Sequence, residues 1–169
     1  RRILVIGAGP AGCTAAMTAA QRGMQVELWE KSSRVGGLLH AAGGPAFKKD
    51  VKDYVEYLER ALARSPVTVR LDTEATPESV RAGNFDRIVV ATGSRPFVPP
   101  IPGIDGPNVV MANDMLTNET VVSGRVVVIG AGLVGCEAAC HAAATSDRVT
   151  MIEILPEILM TVQHSKNND

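Results

Sequence analysis

The sequence predicts an α/β fold made of two strand–helix–strand units joined by a linker. Three observations lead to this prediction. Aromatic residues make up only 4% of the chain, so the core must consist mainly of Val, Ile, Leu and Ala, which suits parallel strands buried on both faces. A glycine-rich turn follows an apolar strand near the start of the chain and again after residue 125. A proline-rich stretch lies between the two units.

Before the linker, the hydrophobic pattern predicts alternating strands and helices. The predicted strands are 2–6, 25–30, 67–71 and 86–91, and the predicted helices are 10–22, 48–64 and 76–83. The helix at 48–64 carries one apolar stripe, and the helix at 76–83 has Thr76 as its N-cap. The apolar strand 86–91 is expected to be buried, whereas the glycine-rich residues 34–46 are expected to form a loop.

Residues 96–107 form the linker, because five prolines in this stretch exclude a regular helix or a central strand. A short helix is predicted at 112–118, and the second strand–helix–strand unit begins at Arg125. We therefore divide the chain into a domain at 1–108 and the start of a second domain at 109–169.

The second unit repeats the first. Residues 125–153 (the second copy) align with residues 2–30 (the first copy) at an offset of 123 without a gap, and 14 of the 29 positions are identical. Each copy has Gly-x-Gly-x-x-Gly between a strand and a helix, followed 18 residues after its third glycine by Glu30 or Glu153. A lone motif is a weak signal, but this context occurs twice and indicates two Rossmann-like dinucleotide sites.

Each glycine of the motif has a mechanical role. The first permits the tight turn, the second has no Cβ and so lets a pyrophosphate approach the backbone, and the third lets the helix pack on the strand. In the two copies these are Gly7, Gly9, Gly12 and Gly130, Gly132, Gly135. Free amides of the helix's first turn then face the phosphates, and the glutamate accepts hydrogen bonds from a ribose diol. Two such sites suit one FAD and one nicotinamide dinucleotide.

Further motifs carry a family resemblance. The chain contains VIGAGPAG at 5–12, RVGG at 34–37, IVVATGSRP at 88–96, IPGIDGPNV at 101–109 and VVVIGAGLVGCE at 126–137. Together they resemble the two-dinucleotide-binding flavoproteins. More narrowly, they resemble the FAD/NAD(P)H region of old yellow enzyme-like NADH:flavin oxidoreductases, which include 2,4-dienoyl-CoA reductase, trimethylamine dehydrogenase and enoate reductases. The tail at 156–169 resembles enoate reductases in particular.

The resemblance implies which residues hold each cofactor. At the FAD pyrophosphate these are Gly7, Gly9, Pro10, Ala11 and Gly12, and at the ribose Glu30 with Lys31 beside it. A second glycine pair followed by a leucine closes over the cofactor: Gly36, Gly37 and Leu38. Ala75 lies at adenine, and a strand end near FAD contributes Ala91, Thr92 and Gly93. For NAD(P)H they are Gly130, Gly132, Leu133, Val134 and Gly135, with Glu153 on the ribose. Because Ile154 and Leu155 rather than Arg or Lys follow Glu153, NADH is favoured over NADPH.

The resemblance also implies the reaction of the intact protein. In the family, hydride passes from NADH to FAD, and electrons continue through an iron–sulfur cluster to FMN, which reduces an activated alkene such as an enoate or enoyl-CoA. The expected partner is therefore the remainder of the same polypeptide, with its FMN barrel, its cluster and the rest of both dinucleotide domains. The fragment alone is expected to be inactive. None of its residues is expected to be catalytic, because the flavin supplies the chemistry.

Two other interpretations stay open. In one, the first site holds an adenine nucleotide such as ADP as a structural plug, without flavin and without turnover. In the other, the chain is an NAD(P)-binding regulatory domain.

Residues 125–169 leave a sheet edge uncovered, so they are expected either to extend the sheet of residues 1–108 or to associate with a second chain as a homo-oligomer.

Composition argues against several classes of protein. A net charge of −1 without a run of Lys or Arg argues against nucleic acid or an anionic membrane as partner, and no apolar stretch reaches the roughly 20 residues of a membrane span. Cys13, Cys136 and Cys140 fit no disulfide framework, which favours a reducing, cytoplasmic setting. We interpret Cys13 and Cys136 as packing residues and expect neither a metal site nor a redox pair at Cys136 and Cys140. We interpret His40 as solvent-exposed, with an approach to the flavin as the alternative.

Overall fold

The computed structural model describes residues 1–159, which divide into two compact units. The first unit contains Arg1–His40 and Lys49–Val98, and the second contains Ala41–Lys48 and the chain from Pro99 onward. Each unit has a parallel sheet of its own. Residues 160–169, which include His164 and most of the tail that resembles enoate reductases, lie outside the described residues.

The first unit alternates strands and helices. Its elements are β1 (Arg2–Ile6), α1 (Pro10–Gln21), β2 (Gln25–Trp29), α2 (Leu39–Ala42, at the border with the second unit), α3 (Lys49–Ala63), β3 (Thr68–Arg70), α4 (Pro77–Ala82) and β4 (Arg87–Val90). All neighbouring strands are parallel, in the order β3-β2-β1-β4. Ile3 of β1 lies opposite Val26 on one side and Arg87 on the other. The predicted α/β class is confirmed.

The core of the first unit lies between its sheet and two helices. Its buried members from β1 and β2 are Ile3, Val5, Val26 and Leu28, and those from α1 and α3 are Cys13, Ala16, Ala20, Leu58 and Leu62. The side chains that α1 contributes are small, so the helix lies close to the strands, and the larger leucines of α3 cover it. Helix α1, which is separated from the end of β1 by three residues, thus packs against the sheet from its first turn.

Two predictions for the first unit are wrong. The strand at 86–91 was expected to be buried, yet Ile88 is 47% and Val90 72% exposed. The reason is position, because β4 lies at an edge of the sheet, where β1 is its only neighbour among the described strands. The loop at 34–46 contains the single helical turn α2, at whose start the Leu39 amide donates to the Gly36 carbonyl at 3.1 Å.

The second unit is built on one strand–helix–strand motif. Its elements are α5 (Ala112–Leu116), β5 (Gly124–Ile129), α6 (Leu133–Ala142) and β6 (Ser146–Ile152), and β5 pairs in parallel with β6. Met115 and Leu116 of α5 pack with Ala138 and Ala142 of α6. An ion pair between the half-buried Lys48 and Glu137 fastens the segment 41–48 to α6.

The two sheets are separate. Over residues 1–159, β5 and β6 form a two-stranded sheet that shares no strand pairing with the four-stranded one. Within residues 125–159, neither strand extends the first sheet, so this arm of the expectation is not met by the described residues. Association of this segment with a second chain stays a prediction.

Two absences apply to the described part of the chain. None of its helices combines the length and the apolar character that a bilayer crossing requires. No three of its His, Cys, Asp or Glu side chains are grouped so that they could hold a metal ion.

Candidate functional site

The first glycine-rich turn connects β1 to α1, and two of its glycines are required by the fold itself. Gly7 has a φ of +98°, and a Cβ there would lie 2.5 Å from the Ala91 carbonyl oxygen, so both conformation and space demand glycine. A Cβ on Gly12 would overlap the Gly7 carbonyl oxygen. The third glycine therefore lets α1 begin directly against the turn.

At Gly9, neither the backbone conformation nor the available space requires glycine. Its φ of −70° and ψ of −179° suit any residue, and a Cβ there would meet no described atom within 4 Å. Gly9 is the N-cap of α1, and no side chain of residues 1–159 caps this helix. The amides of the first turn thus open onto the space beside Gly9, an arrangement that binds phosphate groups.

Glu30 follows β2 and is only 8% exposed. Its Oε2 accepts a hydrogen bond from the Ala8 amide at 2.7 Å, and its Oε1 accepts from the Ser32 amide at 2.9 Å and the Ser32 hydroxyl at 2.8 Å. Burial raises the pKa of Glu30, but these bonds and the charge of Lys31 outweigh burial and hold the pKa below its ordinary value. The carboxylate is therefore anionic at neutral pH and fixed to the middle of the glycine turn.

The second glycine pair lies against the first turn. The Gly36 amide donates to the Ala8 carbonyl at 2.8 Å. A Cβ on Gly37 would come 3.2 Å from the Gly9 Cα, and the φ of Gly37 is +54°. Leu38 follows and is 48% exposed. The structure thus brings Gly36 and Gly37 against the first glycine turn, and Leu38 follows them in the chain.

Two further segments meet at the same end of the sheet. After β3, the Thr73 amide donates to the Glu30 carbonyl at 2.8 Å, and the half-buried Ala75 lies two residues further along. After β4, the Ala91 amide donates to the Ile6 carbonyl at 2.8 Å. The remaining predicted residues at this end are Pro10, Ala11, Lys31, Thr92 and Gly93, all with exposed or partly exposed positions.

The second copy repeats the turn with one difference. Gly130 has a φ of +95°, a Cβ on Gly135 would overlap the Gly130 carbonyl oxygen, and Gly132 is open at a φ of −73°. A Cβ on Gly130 itself would meet no described atom within 4 Å, because β5 has only β6 as a neighbour in the described chain. Leu133 and Val134, in the first turn of α6, are 55% and 54% exposed.

Glu153 takes the place of Glu30 in the second copy. Its Oε2 accepts from the Ala131 amide at 2.7 Å, and its Oε1 accepts from the Ile154 amide at 2.7 Å and the Leu155 amide at 3.0 Å. The bonds from Leu155 and Ala131 are the main causes that lower the pKa of Glu153. Both copies therefore hold an anionic carboxylate against the alanine between the first two glycines.

Several residues of the two sites were missed by sequence reasoning. Ala8 and Ala131 could have been found, because the alanine is identical in both copies. The Leu159 amide donates to the Ala131 carbonyl at 2.9 Å, as Gly36 does to Ala8, and Leu159 lies at the same offset of 123 from Gly36. The structural repeat thus continues beyond the identities that end at Glu153. Ser32 gave no signal in the sequence.

Cys13 and His40 have structural contacts. The Cys13 thiol is buried and donates to the Ala8 carbonyl at 3.2 Å. Burial, with the nearby Glu30 charge, raises the pKa of Cys13 to about 11, so the thiol is not a nucleophile at neutral pH. His40 is half-buried with Nε2 2.7 Å from the Val35 carbonyl oxygen, so the expectation of a solvent-exposed His40 is wrong.

We expect Glu30 to make folding stability depend on pH. Because its folded-state pKa lies below the ordinary value of 4.5, its stabilisation is complete above that value and is lost as pH falls through the folded-state pKa. Glu30→Gln should lower the free energy of unfolding by about 2 kcal/mol at pH 7. Urea unfolding between pH 7 and pH 3 should show the difference between the two proteins shrinking below about pH 4.5.

The matched control is Glu59→Gln, which removes an exposed carboxyl group of α3. It should change stability little at any pH. A difference between wild type and Glu30→Gln that stays constant over the whole pH range would contradict the assigned role of the carboxylate.

The chain is similar to known oxidoreductases over nearly its whole length. The family model of pyridine nucleotide-disulphide oxidoreductases matches residues 1–167. The chain is 40% identical over 167 residues to an NADH oxidase of Thermoanaerobacter brockii and 36% identical over 159 residues to a cinnamate reductase of Clostridium sporogenes. These matches cover 96% and 94% of this chain but 26% and 24% of those proteins.

A solved structure shows the same fold. The 2-naphthoyl-CoA reductase in complex with 2-naphthoyl-CoA matches with a TM-score of 0.87 and 31% identity, over 97% of this chain and 26% of that one. The chain therefore spans about a quarter of the length of these three relatives.

Proposed function

Because this chain belongs to the pyridine nucleotide-disulphide oxidoreductase family, we propose that it is the dinucleotide-binding part of a flavin-dependent oxidoreductase, with FAD at residues 1–108 and NADH at 109–169. The observation that supports this most directly is Gly9. Neither its backbone angles nor its neighbours require glycine, and the missing side chain leaves space for a ligand beside the first-turn amides of α1. Gly132 repeats the observation in the second copy.

The residues of the first site fit the ADP half of FAD. The space beside Gly9 is open, and the amides of Ala11 and Gly12 in the first turn of α1 would hold the pyrophosphate. Pro10 has no amide, but it sets the backbone for the first helical position. The anionic Glu30, fixed at the end of β2, would accept hydrogen bonds from the ribose hydroxyls.

The second site suits NADH better than NADPH. Glu153 is anionic in the position that would receive the ribose, and the residues that follow it, Ile154 and Leu155, are apolar. A 2′-phosphate would meet a like charge there without compensation from these neighbours.

We propose that the intact protein is of the old yellow enzyme-like type, oxidises NADH and reduces an activated alkene. The relatives named cinnamate reductase and 2-naphthoyl-CoA reductase support this substrate class. Bound flavin supplies the redox chemistry, and the residues of this chain bind and orient it. The remainder of the polypeptide would carry FMN and the iron–sulfur cluster, in a cytoplasmic setting.

The test is to record the visible spectrum of the purified chain and to identify by chromatography any nucleotide that denaturant releases from it. FAD, NADH, NADPH and ADP are then titrated separately. We expect flavin absorbance, one FAD per chain, and tighter binding of NADH than of NADPH. Colourless protein that releases ADP and takes up no FAD would support the alternative, an adenine-nucleotide module without turnover.

A further inference from the structure

We propose that the Ser32 hydroxyl is a place-holder on Glu30: it occupies an acceptor position of the carboxylate while no nucleotide is bound, and it turns to the Arg34 carbonyl when the ribose diol arrives. Ser32 is then a positioning residue that decides how many ribose hydroxyls Glu30 receives. The inference rests on the proposed nucleotide site at Gly9. It concerns a residue that the family resemblance does not assign to the site.

Glu30 can accept only a limited number of hydrogen bonds. An ionised carboxylate offers about four positions for hydrogen bonds. Three are filled by the Ala8 amide, the Ser32 amide and the Ser32 hydroxyl. A ribose diol that donates both of its hydroxyls requires two positions, so one of the present donors must leave.

The Ser32 hydroxyl is the donor that can leave without losing a hydrogen bond. Its oxygen lies 2.8 Å from Glu30 Oε1 and 2.9 Å from the Arg34 carbonyl oxygen. A hydroxyl has a single proton and donates to one acceptor at a time. Rotation of that proton therefore transfers the bond to Arg34 while the oxygen stays in place. The Ala8 and Ser32 amides belong to the backbone and continue to hold the carboxylate.

The second copy has no such place-holder. The position equivalent to Ser32 at the offset of 123 is Leu155, and all three donors to Glu153 are backbone amides. One acceptor position of Glu153 is left for a ribose. The first site therefore binds both ribose hydroxyls through its carboxylate, whereas the second binds one.

The test compares FAD with its analogue that lacks the adenosine 2′-hydroxyl, made from FMN and 2′-deoxy-ATP with release of pyrophosphate. Flavin fluorescence gives the Kd of each for wild type, Ser32→Ala and Ser32→Thr. In Ser32→Ala, the nucleotide-free protein loses the hydrogen bond from the Ser32 hydroxyl to the charged Glu30 carboxylate. The FAD complex loses only the weaker hydrogen bond from that hydroxyl to the Arg34 carbonyl. We therefore expect FAD to bind Ser32→Ala about fivefold more tightly than wild type.

The two controls separate this from a purely structural role. Ser32→Thr keeps the hydroxyl and should bind FAD as wild type does. The 2′-deoxy analogue needs only the free fourth position, so Ser32→Ala should bind it with unchanged affinity. Equal or weaker binding of FAD by Ser32→Ala, or the same gain with both ligands, would overturn the inference. Failure of wild type to bind either flavin would instead overturn the proposed function on which it rests.

Discussion

Gly9→Val is expected to lower the affinity for FAD at least 100-fold, about 2.7 kcal/mol, while leaving the first unit folded. The φ and ψ of Gly9 are accessible to valine, and its Cβ direction points into space that no described atom occupies within 4 Å. The added side chain would fill the place where the pyrophosphate approaches the first-turn amides of α1. Fluorescence titration with FAD and thermal unfolding by circular dichroism measure the two effects separately.

The matched control is Gly132→Val, the same change at the equivalent position of the second copy. It should weaken NADH binding and leave the affinity for FAD near that of wild type. If Gly9→Val binds FAD as tightly as wild type does, the open space beside Gly9 is not the phosphate site. If both variants lose FAD together, the two copies do not bind separate cofactors.

Gly12→Ala is expected to destabilise the first unit by about 2 kcal/mol, although alanine favours helices by about 1 kcal/mol over glycine. The Cβ would overlap the Gly7 carbonyl oxygen and come 3.3 Å from the Ala91 Cβ. The overlapped atom belongs to the backbone, so α1 would have to move off the sheet. Urea unfolding at neutral pH measures the loss.

Gly9→Ala is the control for this second prediction, because it adds the same methyl group three residues away in open space. Its free energy of unfolding should match that of wild type within about 0.5 kcal/mol. A Gly12→Ala variant as stable as Gly9→Ala would show that the turn at Gly7 can relax, and that the third glycine is not a packing requirement.

Secondary structure was largely readable from the sequence because it is set by local patterns. The apolar stripe at 48–64 predicted α3, and Thr76 at the start of α4 forms the expected cap with Ser79. The burial of a strand could not be predicted in the same way, because it depends on which elements pack against that strand. The run Ile88, Val89, Val90 has the composition of a central strand, but its place at the sheet edge was not encoded in that run.

Some contacts in the two sites were not predicted, because they depend on packing and not on a local sequence pattern. The repeat marked each position that is identical in both copies, such as Glu30 and Glu153, and the structure places both against the glycine turns. Positions at which the two copies have different residues could not be recognised as site residues from the repeat. Ser32 corresponds to Leu155 and Gly36 to Leu159, so these contacts became visible only when the backbone showed their hydrogen bonds.

The unequal surroundings of Gly7 and Gly130 have a consequence for which substitutions this chain tolerates. At Gly130 a mutation meets only the backbone penalty of its positive φ, about 1–3 kcal/mol, since no described atom stands within 4 Å of the added carbon. At Gly7 the same mutation also collides with the Ala91 carbonyl. Random mutagenesis of this chain, followed by selection for folded protein, should thus recover small side chains more often at position 130 than at position 7.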